Sequence, residues 1–356
     1  MNILDEIHKF DDSKDVTDAW TPPSSWYIEK EFMNLEYEKI FKAEWMFADF
    51  VHHLKKDGDY TTGKTANRPY VIVKDQGVIK AYYNVCSHHG TCVAKGSGNT
   101  DKLVCPYHGW VYNLEGRLRK IPKAGSIQEI HSKGLNLKEI PLQVVGPFIF
   151  LWLGNGNPKE FSKDLLEHFN RNHYSNLNFQ KRVTYEINCN WKVFVDNYLD
   201  GGYHVPHMHP GLTTQLNLES YYTEIYQNWS LQKCLADKRE AVEAEVQGRV
   251  EGEAEYTWMY PNFMVNRYGD WMDTNIAVPL SPNKTLIVFD YFHTSRPYDI
   301  EASLKASDKV QLEDMEICDM VQEGLNSGIY VQGVYAPQFE KPMYEFHKLL
   351  KASFLR

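Results

Sequence analysis

Two short motifs in the first third of the chain each pair one cysteine with one histidine. The first is Cys86-Ser-His88 and the second, after sixteen intervening residues, is Cys105-Pro-Tyr-His108. Two thiolates and two imidazoles can hold a two-iron, two-sulfur cluster asymmetrically, with both cysteines on one iron and both histidines on the other. Because neutral imidazoles replace two thiolate charges, such a cluster has a raised reduction potential. The motifs therefore predict a one-electron carrier.

A structural zinc ion is the main alternative for the same four side chains, since zinc also takes Cys and His ligands. Zinc fingers and ribbons usually pair Cys with Cys and His with His, whereas each motif here is mixed. Gly90 and Gly109, which follow the motifs, suit tight loops whose N–H groups approach cluster sulfurs. The pattern favours the iron–sulfur cluster, with His89 beside it as an exposed or supporting residue.

A second histidine group, His204-Val-Pro-His207-Met-His209, follows a predicted helix that ends near Asp200. Four residues separate His204 from His209, and the proline between them interrupts regular helix. Two imidazoles and one carboxylate on one face of iron(II) leave positions open for dioxygen and substrate. We therefore predict that His204 and His209 bind a mononuclear iron, with His207 as a spare or a supporting donor.

The third ligand of such an iron should be a carboxylate on a buried surface. Apolar residues in a predicted helix over 300–325 recur at helical spacing, and Asp314 interrupts the stripe formed by Val310, Ile317, Val321 and Leu325. An unpaired buried carboxylate is costly, and a divalent metal would offset that cost. On this pattern alone, a cap or a core salt bridge at Asp314 remains an alternative; with the two histidines, the ligand role is favoured.

Length and composition limit the class of protein. A chain of 356 residues predicts two domains. Its net charge of −9 argues against nucleic acid or an anionic membrane surface as a partner, and no apolar run approaches the roughly 18 residues that cross a bilayer. The N-terminus is polar, and four of the six cysteines are scattered without a disulfide rhythm. These features predict a cytoplasmic protein.

The chain is expected to be of the α+β class. Residues 1–44 are predicted to pack on the catalytic domain, and residues 45–150 read as a small all-β domain of short apolar runs cut by Gly, Asn and Asp turns. Both cysteine motifs fall at turns between these strands. Residues 151–356 are predicted to form a larger catalytic domain, with an antiparallel sheet flanked by helices over 160–170, 191–200 and 300–325.

Taken together, the two metal motifs resemble the large subunit of the Rieske non-haem iron oxygenases. Within that family, three segments are most similar to choline monooxygenase and related quaternary-amine oxygenases. They are NWKVFVDNYLDGGYHVP (190–206), YPNFMVNRYGDWM (260–272) and QLEDMEICDMVQEGL (311–325). The resemblance covers the chain from about residue 25 to its end. It places the family's carboxylate ligand on Asp314.

The resemblance implies a homotrimer in which a Rieske [2Fe-2S] cluster passes electrons to the mononuclear Fe(II) of a neighbouring subunit. An NAD(P)H-dependent flavin reductase, a ferredoxin or both would supply the electrons. The reductase is expected to be a separate protein, because the chain has no Gly-rich dinucleotide fingerprint. It also implies that Asn197 and Tyr203 take part in catalysis. The family's bridging acid normally stands three residues before the first iron histidine. That position is Gly201 here, and Asp200 precedes it. Asp200 is therefore the third predicted catalytic residue if the turn differs by one residue; otherwise another group makes the bridge.

The resemblance further implies hydroxylation by O2 of a small organic substrate, a quaternary amine such as choline or a betaine at a C–H next to nitrogen. An aromatic cage for the ammonium group is predicted from a dense aromatic set: Trp258, Tyr260, Phe263, Tyr268 and Trp271. Two alternatives are an aromatic-ring hydroxylating dioxygenase, with or without a small β subunit, and an electron carrier with the cluster alone. The predicted facial triad speaks against the second.

Overall fold

The computed structural model describes residues 2–123, 134–209, 216–236, 253–294 and 300–356. The chain forms two compact units. One consists of Met1–Ile40 together with Asn176–Arg356, and the other is the continuous segment Phe41–Ser175. The second unit is therefore inserted in sequence within the first.

The inserted unit is built mainly of short antiparallel strands. Three sheets have the strand orders β1-β11-β10, β5-β2-β3-β4-β9 and β6-β7-β8. The strands are β1 (Trp45–Phe50), β2 (Asp59–Thr65), β3 (Arg68–Asp75), β4 (Val78–Tyr83), β5 (Ser97–Asn99), β6 (Lys102–Val104), β7 (Val111–Asn113), β8 (Leu118–Lys120), β9 (Glu139–Ile140), β10 (Leu142–Val145) and β11 (Phe148–Trp152). This arrangement confirms the expected small all-β domain.

The inserted unit continues beyond the boundary expected at residue 150. Strand β11 lies between β1 and β10, and all five of its residues are buried. Two short helices follow it, Lys163–Phe169 (α4 in chain order) and Asn172–Ser175 (α5). The ring of Phe169 packs edge-on against Phe148, with centroids 5.0 Å apart. Because these contacts complete the core of β11, the segment to Ser175 belongs with this unit.

The larger unit contains one seven-stranded antiparallel sheet in the order β12-β18-β17-β16-β15-β14-β13. Its strands are β12 (Asn178–Ile187), β13 (Leu216–Ile225), β14 (Trp229–Ala236), β15 (Glu253–Met259), β16 (Phe263–Tyr268), β17 (Trp271–Ser281) and β18 (Lys284–His293). Between β13 and β18 each strand pairs with its neighbour in sequence, so successive strands form a meander. Together with the helices, this sheet confirms the α+β class.

Helices of the larger unit carry the second histidine group and its carboxylate. They are α1 (Ile3–His8), α2 (Ser25–Ile28), α3 (Lys30–Glu36), α6 (Trp191–Tyr198), α7 (Val205–Met208), α8 (Ile300–Asn326) and α9 (Lys341–Phe354), with a π-helical turn at Tyr37–Phe41. Asn190 caps α6 by accepting a hydrogen bond from the Lys192 backbone N–H. Among the described residues, no helix is long and apolar enough to cross a membrane.

The buried face of α8 differs from the predicted apolar stripe. The buried residues are Ser307, Gln311, Cys318, Gln322 and Leu325, whereas Val321 is exposed. The stripe prediction was wrong for Val321, because most of the buried face is polar, whereas Leu325 is buried as expected. The Gln322 side chain, for example, accepts a hydrogen bond from the Asn190 N–H at 2.8 Å, at the start of α6.

The N-terminal segment contributes to the core around α6. Glu36, at the end of α3, forms a fully buried ion pair with Lys192 and accepts a hydrogen bond from the Trp191 indole at 2.7 Å. Burial raises the pKa of Glu36 and lowers that of Lys192, because it disfavours both charged forms. The ring of Trp26 packs edge-on against Phe354 of α9 at 5.1 Å. Residues near both chain ends therefore support the helix that leads to the histidines.

Candidate metal centres and substrate cavity

The two cysteine motifs form loops of the same shape. The Cys86 carbonyl accepts a hydrogen bond from the Gly90 N–H at 2.9 Å, and the Cys105 carbonyl accepts one from the Gly109 N–H at 3.0 Å. Gly90 and Gly109 have φ values of +75° and +72°, in the left-handed region that favours glycine. Each glycine thus closes a tight turn that presents a cysteine and a histidine together.

The four predicted cluster ligands come together with their thiols inside and their imidazoles outside. Cys86 and Cys105 are both 2% exposed, and each interacts with the other. His88 and His108 are exposed, with their Nδ1 atoms 3.2 Å apart. The His88 ring stacks on Trp110 at 4.7 Å. Two sulfurs on the buried side and two converging imidazole nitrogens on the solvent side fit an asymmetric two-iron cluster.

Tyr112 supports this centre from strand β7. Its hydroxyl lies 3.3 Å from the Cys86 sulfur and accepts a hydrogen bond from the Ser87 N–H at 3.1 Å. When Cys86 binds a cluster as a thiolate, its sulfur carries no proton, so the Tyr112 hydroxyl would be the donor of this contact. Burial, together with Cys86, raises the pKa of Tyr112 to about 12. Hydrogen bonds to cluster sulfurs tune the reduction potential.

The second predicted centre also comes together. The His209 Nε2 lies 3.0 Å from the Asp314 Oδ1, and the His204 Nε2 lies 3.7 Å from the same oxygen. One donor atom from each of these three residues lies within 4.8 Å of the others. His204 precedes α7 and His209 follows it, while Asp314 projects from the middle of α8. This donor set of two imidazoles and one carboxylate fits a mononuclear iron with open positions.

A carboxylate orients each of the two imidazoles. The Asp200 Oδ2 lies 2.6 Å from the His204 Nδ1, and the Glu313 Oε2 lies 2.7 Å from the His209 Nδ1. Hydrogen bonding at Nδ1 leaves the Nε2 lone pair of each ring directed toward Asp314. Burial disfavours a charged His209, but hydrogen bonds and charges from Asp314 and Glu313 outweigh burial and raise its pKa. Carboxylate support of this kind also makes an imidazole a stronger metal ligand.

The acid at position 200 rather than 201 has a steric cause. Gly201 has φ +70°, and a Cβ placed there would lie 2.3 Å from the carbonyl oxygen of Phe339. A side chain is therefore excluded at 201. Asp200 instead folds back over the turn, where its carboxylate accepts hydrogen bonds from the N–H groups of Gly202 and His204, both at 2.9 Å.

The other two predicted catalytic residues have different surroundings. The Asn197 amide donates a hydrogen bond to the Asp314 Oδ1 at 2.9 Å, so it orients the carboxylate at the centre. Tyr203 is 50% exposed and stacks on Phe339 at 4.9 Å. It is not among the described residues that line the adjoining cavity. The structure therefore brings Asn197 to the centre and leaves Tyr203 beside it.

A cavity of about 400 Å³ opens onto His204, His209 and Asp314. It lies between the seven-stranded sheet and α8. Its aromatic lining comprises Phe194, Tyr198, Tyr221, Tyr256, Tyr268 and Phe289, and its polar lining includes Gln232, Asn266, Asp273, Asn275, Gln311 and Glu313. Lys305 and Lys309 of α8 also line it.

Of the five aromatic residues predicted for a substrate cage, Tyr268 lines this cavity. Trp258 and Tyr260 lie farther along the sheet and pack against Phe346 of α9, with ring centroids 5.4 and 6.3 Å apart. Trp271 packs against Tyr291 and His293, and Phe263 is buried at the start of β16. These four belong to the packed core and not to the lining of the cavity.

Sequence reasoning missed Glu313 and Asp273. Glu313 could have been found from its position next to Asp314 in the sequence. It was missed because the apolar pattern assigned the wrong residues to the buried face of this helix. The signal for Asp273 was an acid within the strand sequence Trp271–Ser281, where alternation places residues 273 and 275 on one face. Asp273 is 1% exposed and accepts hydrogen bonds from the Tyr268 hydroxyl and from the Asn266 amide.

Comparison with known families agrees with both centres. Residues 44–132 match the Rieske [2Fe-2S] domain, and residues 174–353 match the catalytic domain of ring hydroxylating alpha subunits. The chain belongs to the Rieske oxygenases. The protein is accordingly an oxidoreductase whose cofactors are a Rieske [2Fe-2S] cluster and a mononuclear iron.

Several relatives are similar over most of this oxygenase. The chloroplastic choline monooxygenase of Arabidopsis thaliana is 40% identical, with 97% of this chain and 85% of that protein covered. The carnitine monooxygenase oxygenase subunit of Acinetobacter pittii is 26% identical, covering 88% of this chain and 87% of that protein. A crystal structure of a quaternary ammonium Rieske monooxygenase, at 25% identity, superposes with a TM-score of 0.86 over 95% of this chain and 96% of that one.

These relationships have two consequences for the oxygenase. It takes electrons from an external donor and acts on a small-molecule substrate. Its predicted family, fold class, cofactors and enzyme class are confirmed. The residues assigned to each centre rest on the geometry described above.

Proposed function

We propose that this oxygenase hydroxylates a small quaternary ammonium compound, such as choline or a betaine, at a C–H bond next to nitrogen. The observation that carries the proposal is Asp273, a buried carboxylate in a cavity that six aromatic rings also line and that adjoins the His204–His209–Asp314 centre. The names of the relatives, choline monooxygenase and carnitine monooxygenase, support the same substrate class.

The lining suits a trimethylammonium group for two physical reasons. Aromatic faces attract a cation by about 0.5–2 kcal/mol each. Tyr198 and Tyr221 both line the cavity, and burial raises the pKa of each well above the usual value, so both are neutral phenols there. The carboxylate of Asp273 adds an opposite charge in a site shielded from water, where charge attraction is stronger than in bulk solvent. A neutral arene would gain little from this acid.

We also propose roles for the residues of both centres. Cys86, Cys105, His88 and His108 would hold the cluster, a role supported by the paired loops and the converging imidazoles. The iron would be held by three other residues, His204, His209 and Asp314. Supplied with electrons, such an iron activates dioxygen to attack a C–H bond.

Residues around the iron ligands would keep them in position. Asp200 and Glu313 would hold the two imidazoles in the tautomer that presents Nε2, and Asn197 would orient the carboxylate of Asp314. The wall of aromatic side chains would exclude water and direct the reacting carbon toward the centre. Asp200 is also our candidate for the acid that joins this iron to the cluster of a neighbouring subunit, because it stands next to Gly201, which cannot carry a side chain.

The reaction needs two electrons and two protons for each turnover, since one oxygen atom enters the C–H bond and the other leaves as water. We propose that an NAD(P)H-dependent flavin reductase, a ferredoxin or both supply the electrons, and that the functional unit is a homotrimer. The four cysteines outside the cluster motifs are free thiols, which supports a reducing compartment such as the cytoplasm.

Oxygen uptake with NADH and a broad-specificity reductase tests the proposal. Choline, glycine betaine, carnitine and simple arenes are compared on the reconstituted enzyme, and products are identified. We expect uptake matched by an aldehyde or by formaldehyde from an ammonium substrate. Uptake with arenes alone, with a cis-diol as product, would instead assign the chain to the ring-hydroxylating dioxygenases, the second candidate function.

A pair of matched variants tests the part played by Asp273. Asp273→Asn removes the charge from the cavity and is expected to weaken choline binding by about tenfold or more. Asp290 is also a buried acid, on the neighbouring strand β18, but it faces the other side of the sheet and pairs with Arg182 at 2.7 Å. Asp290→Asn in the folded enzyme is expected to leave choline affinity unchanged. Equal effects of both substitutions would contradict the proposed role.

A further inference from the structure

Two amide side chains in the cavity have polar atoms without a hydrogen-bond partner. Asn275 is 2% exposed and Gln311 is 3% exposed, and both line the cavity. Within the part of the chain that the structure describes, the Asn275 Oδ1 and the Gln311 Nε2 have no partner. A buried polar atom without a partner costs about 1–3 kcal/mol. A bound ligand is one means of offsetting that cost.

The orientation of Asn275 follows from its neighbour. The Asn275 Nδ2 points to the Asp273 Oδ2 at 3.4 Å. Because the amide nitrogen faces the carboxylate, the amide oxygen faces away from it. The cavity therefore contains one acceptor, on β17, that still requires a donor.

Gln311 lies on the opposite wall, in the same region of the cavity. One helical turn before it, the Ser307 hydroxyl lies 3.1 Å from the hydroxyl of Tyr291. Asn275 is paired across the strands with Phe289, two residues before Tyr291 on the same face of β18. Both amides therefore line the cavity that Phe289 also lines, one on the sheet and one on α8. They offer one acceptor and one donor.

We propose that Asn275 and Gln311 bind the hydroxyl group of the substrate, an inference that rests on the proposed function. A hydroxyl can donate to the Asn275 oxygen and accept from the Gln311 nitrogen at the same time. A carboxylate can accept from Gln311 but has no hydrogen to give to Asn275. A methyl group satisfies neither. The pair therefore selects an amino alcohol of the choline type over a betaine with no hydroxyl.

Equilibrium binding to the anaerobic iron-loaded enzyme tests this without turnover. The probes are choline and n-propyltrimethylammonium, in which a methyl group replaces the hydroxyl. We expect wild-type enzyme to bind choline about 10-fold to 100-fold more tightly, because the analogue leaves both amides unpaired. This comparison needs no variant. Equal affinities would overturn the inference while leaving cation binding, and with it the proposed function, intact.

Three variants assign the preference to the two amides. Asn275→Leu and Gln311→Met are close in shape to the native residues, and each is expected to weaken choline binding about tenfold with little change for the analogue. The control is Ser307→Ala, which removes a polar group one turn from Gln311 and should keep the full preference for choline.

The outcomes separate the two hypotheses. Equal losses for choline and the analogue in both amide variants would mean that the amides act only through packing, and the inference would fall. Binding of neither cation by the wild-type enzyme would refute the proposed function, and the inference with it.

Discussion

Glu313 is expected to set the affinity of the oxygenase for its mononuclear metal. Its carboxylate lies 2.7 Å from the His209 Nδ1, and the His209 side chain is only 2% exposed. Without Glu313 the imidazole loses the group that orients its ring and increases its basicity. Removing such a partner typically lowers metal affinity about 10-fold to 100-fold, which corresponds to about 1.4–2.8 kcal/mol.

Two substitutions at Glu313 are expected to weaken metal binding by different amounts. Glu313→Ala removes the hydrogen bond altogether and should show the full loss. Glu313→Gln retains a neutral acceptor for the Nδ1–H, so it should fall between Ala and wild type. Glu316, an exposed acid on the same helix, provides the control. Glu316→Gln makes the same change in net charge without touching either imidazole, and it should bind metal like the wild type.

Anaerobic titration with Co(II) or Fe(II) against a competing chelator measures the affinity directly. Thermal unfolding gives a second measurement, because a metal that binds only the folded state stabilises that state. At saturating metal, this stabilisation falls by about 1.4 kcal/mol for each tenfold loss of metal affinity. If Glu313→Ala bound metal as tightly as Glu316→Gln, the proposed support of His209 would be refuted.

Three further predictions concern stability and redox potential. Lys192→Met leaves the Glu36 carboxylate buried and unpaired and should cost about 3–5 kcal/mol in denaturant unfolding, most of it recovered when Glu36→Gln is added. Burial opposes ionisation of Asp49, but the hydrogen bonds from His53, Thr61 and the Phe50 N–H, together with the charge of His53, outweigh burial and lower the pKa of Asp49. Ionised Asp49 should therefore stabilise the fold above about pH 4, and this stabilisation should be lost as the pH falls through the lowered pKa. In Asp49→Asn, the free energy of unfolding should depend less on pH on the acid side. Tyr112→Phe removes a hydrogen bond of about 1 kcal/mol to a cluster sulfur and should lower the one-electron potential by about 40 mV in a redox titration.

The cluster loops could be predicted almost completely from the sequence. Ligand types, their spacing and the two following glycines are all local features, and the structure shows both glycines in the left-handed region. The histidines of the second centre are local in the same sense. A short motif that fixes its own turn needs no knowledge of the remaining fold.

The structure places Asp314 beside His204 and His209, but the sequence pattern that pointed to it was incomplete. The predicted stripe assumed that a buried helix face is apolar, whereas the buried face of α8 carries Ser307, Gln311 and Gln322. Those residues are buried because distant elements supply hydrogen-bond partners or a cavity. Hydropathy alone cannot distinguish such a face from an exposed one.

The aromatic cage was the least predictable part of the site. Trp258 and Tyr268 belong to neighbouring strands, and both are buried. Which of them faces the cavity depends on where α9 covers the sheet, and α9 is formed by the last residues of the chain. Asp200 itself is evident in the sequence, but the reason that position 201 is a glycine is not, because it is the distant backbone of Phe339.

The insertion of Phe41–Ser175 within the larger unit has a consequence for synthesis of the protein. Lys192 leaves the ribosome 156 residues after Glu36, about 8–30 s later at roughly 5–20 residues per second. During that interval the inserted unit, which is continuous in sequence, can fold first. The N-terminal segment, with the apolar side chains of Trp26 and Phe32, must stay unpaired until α6 and α9 emerge. We therefore expect this segment to be the part of the nascent chain that chaperones bind longest.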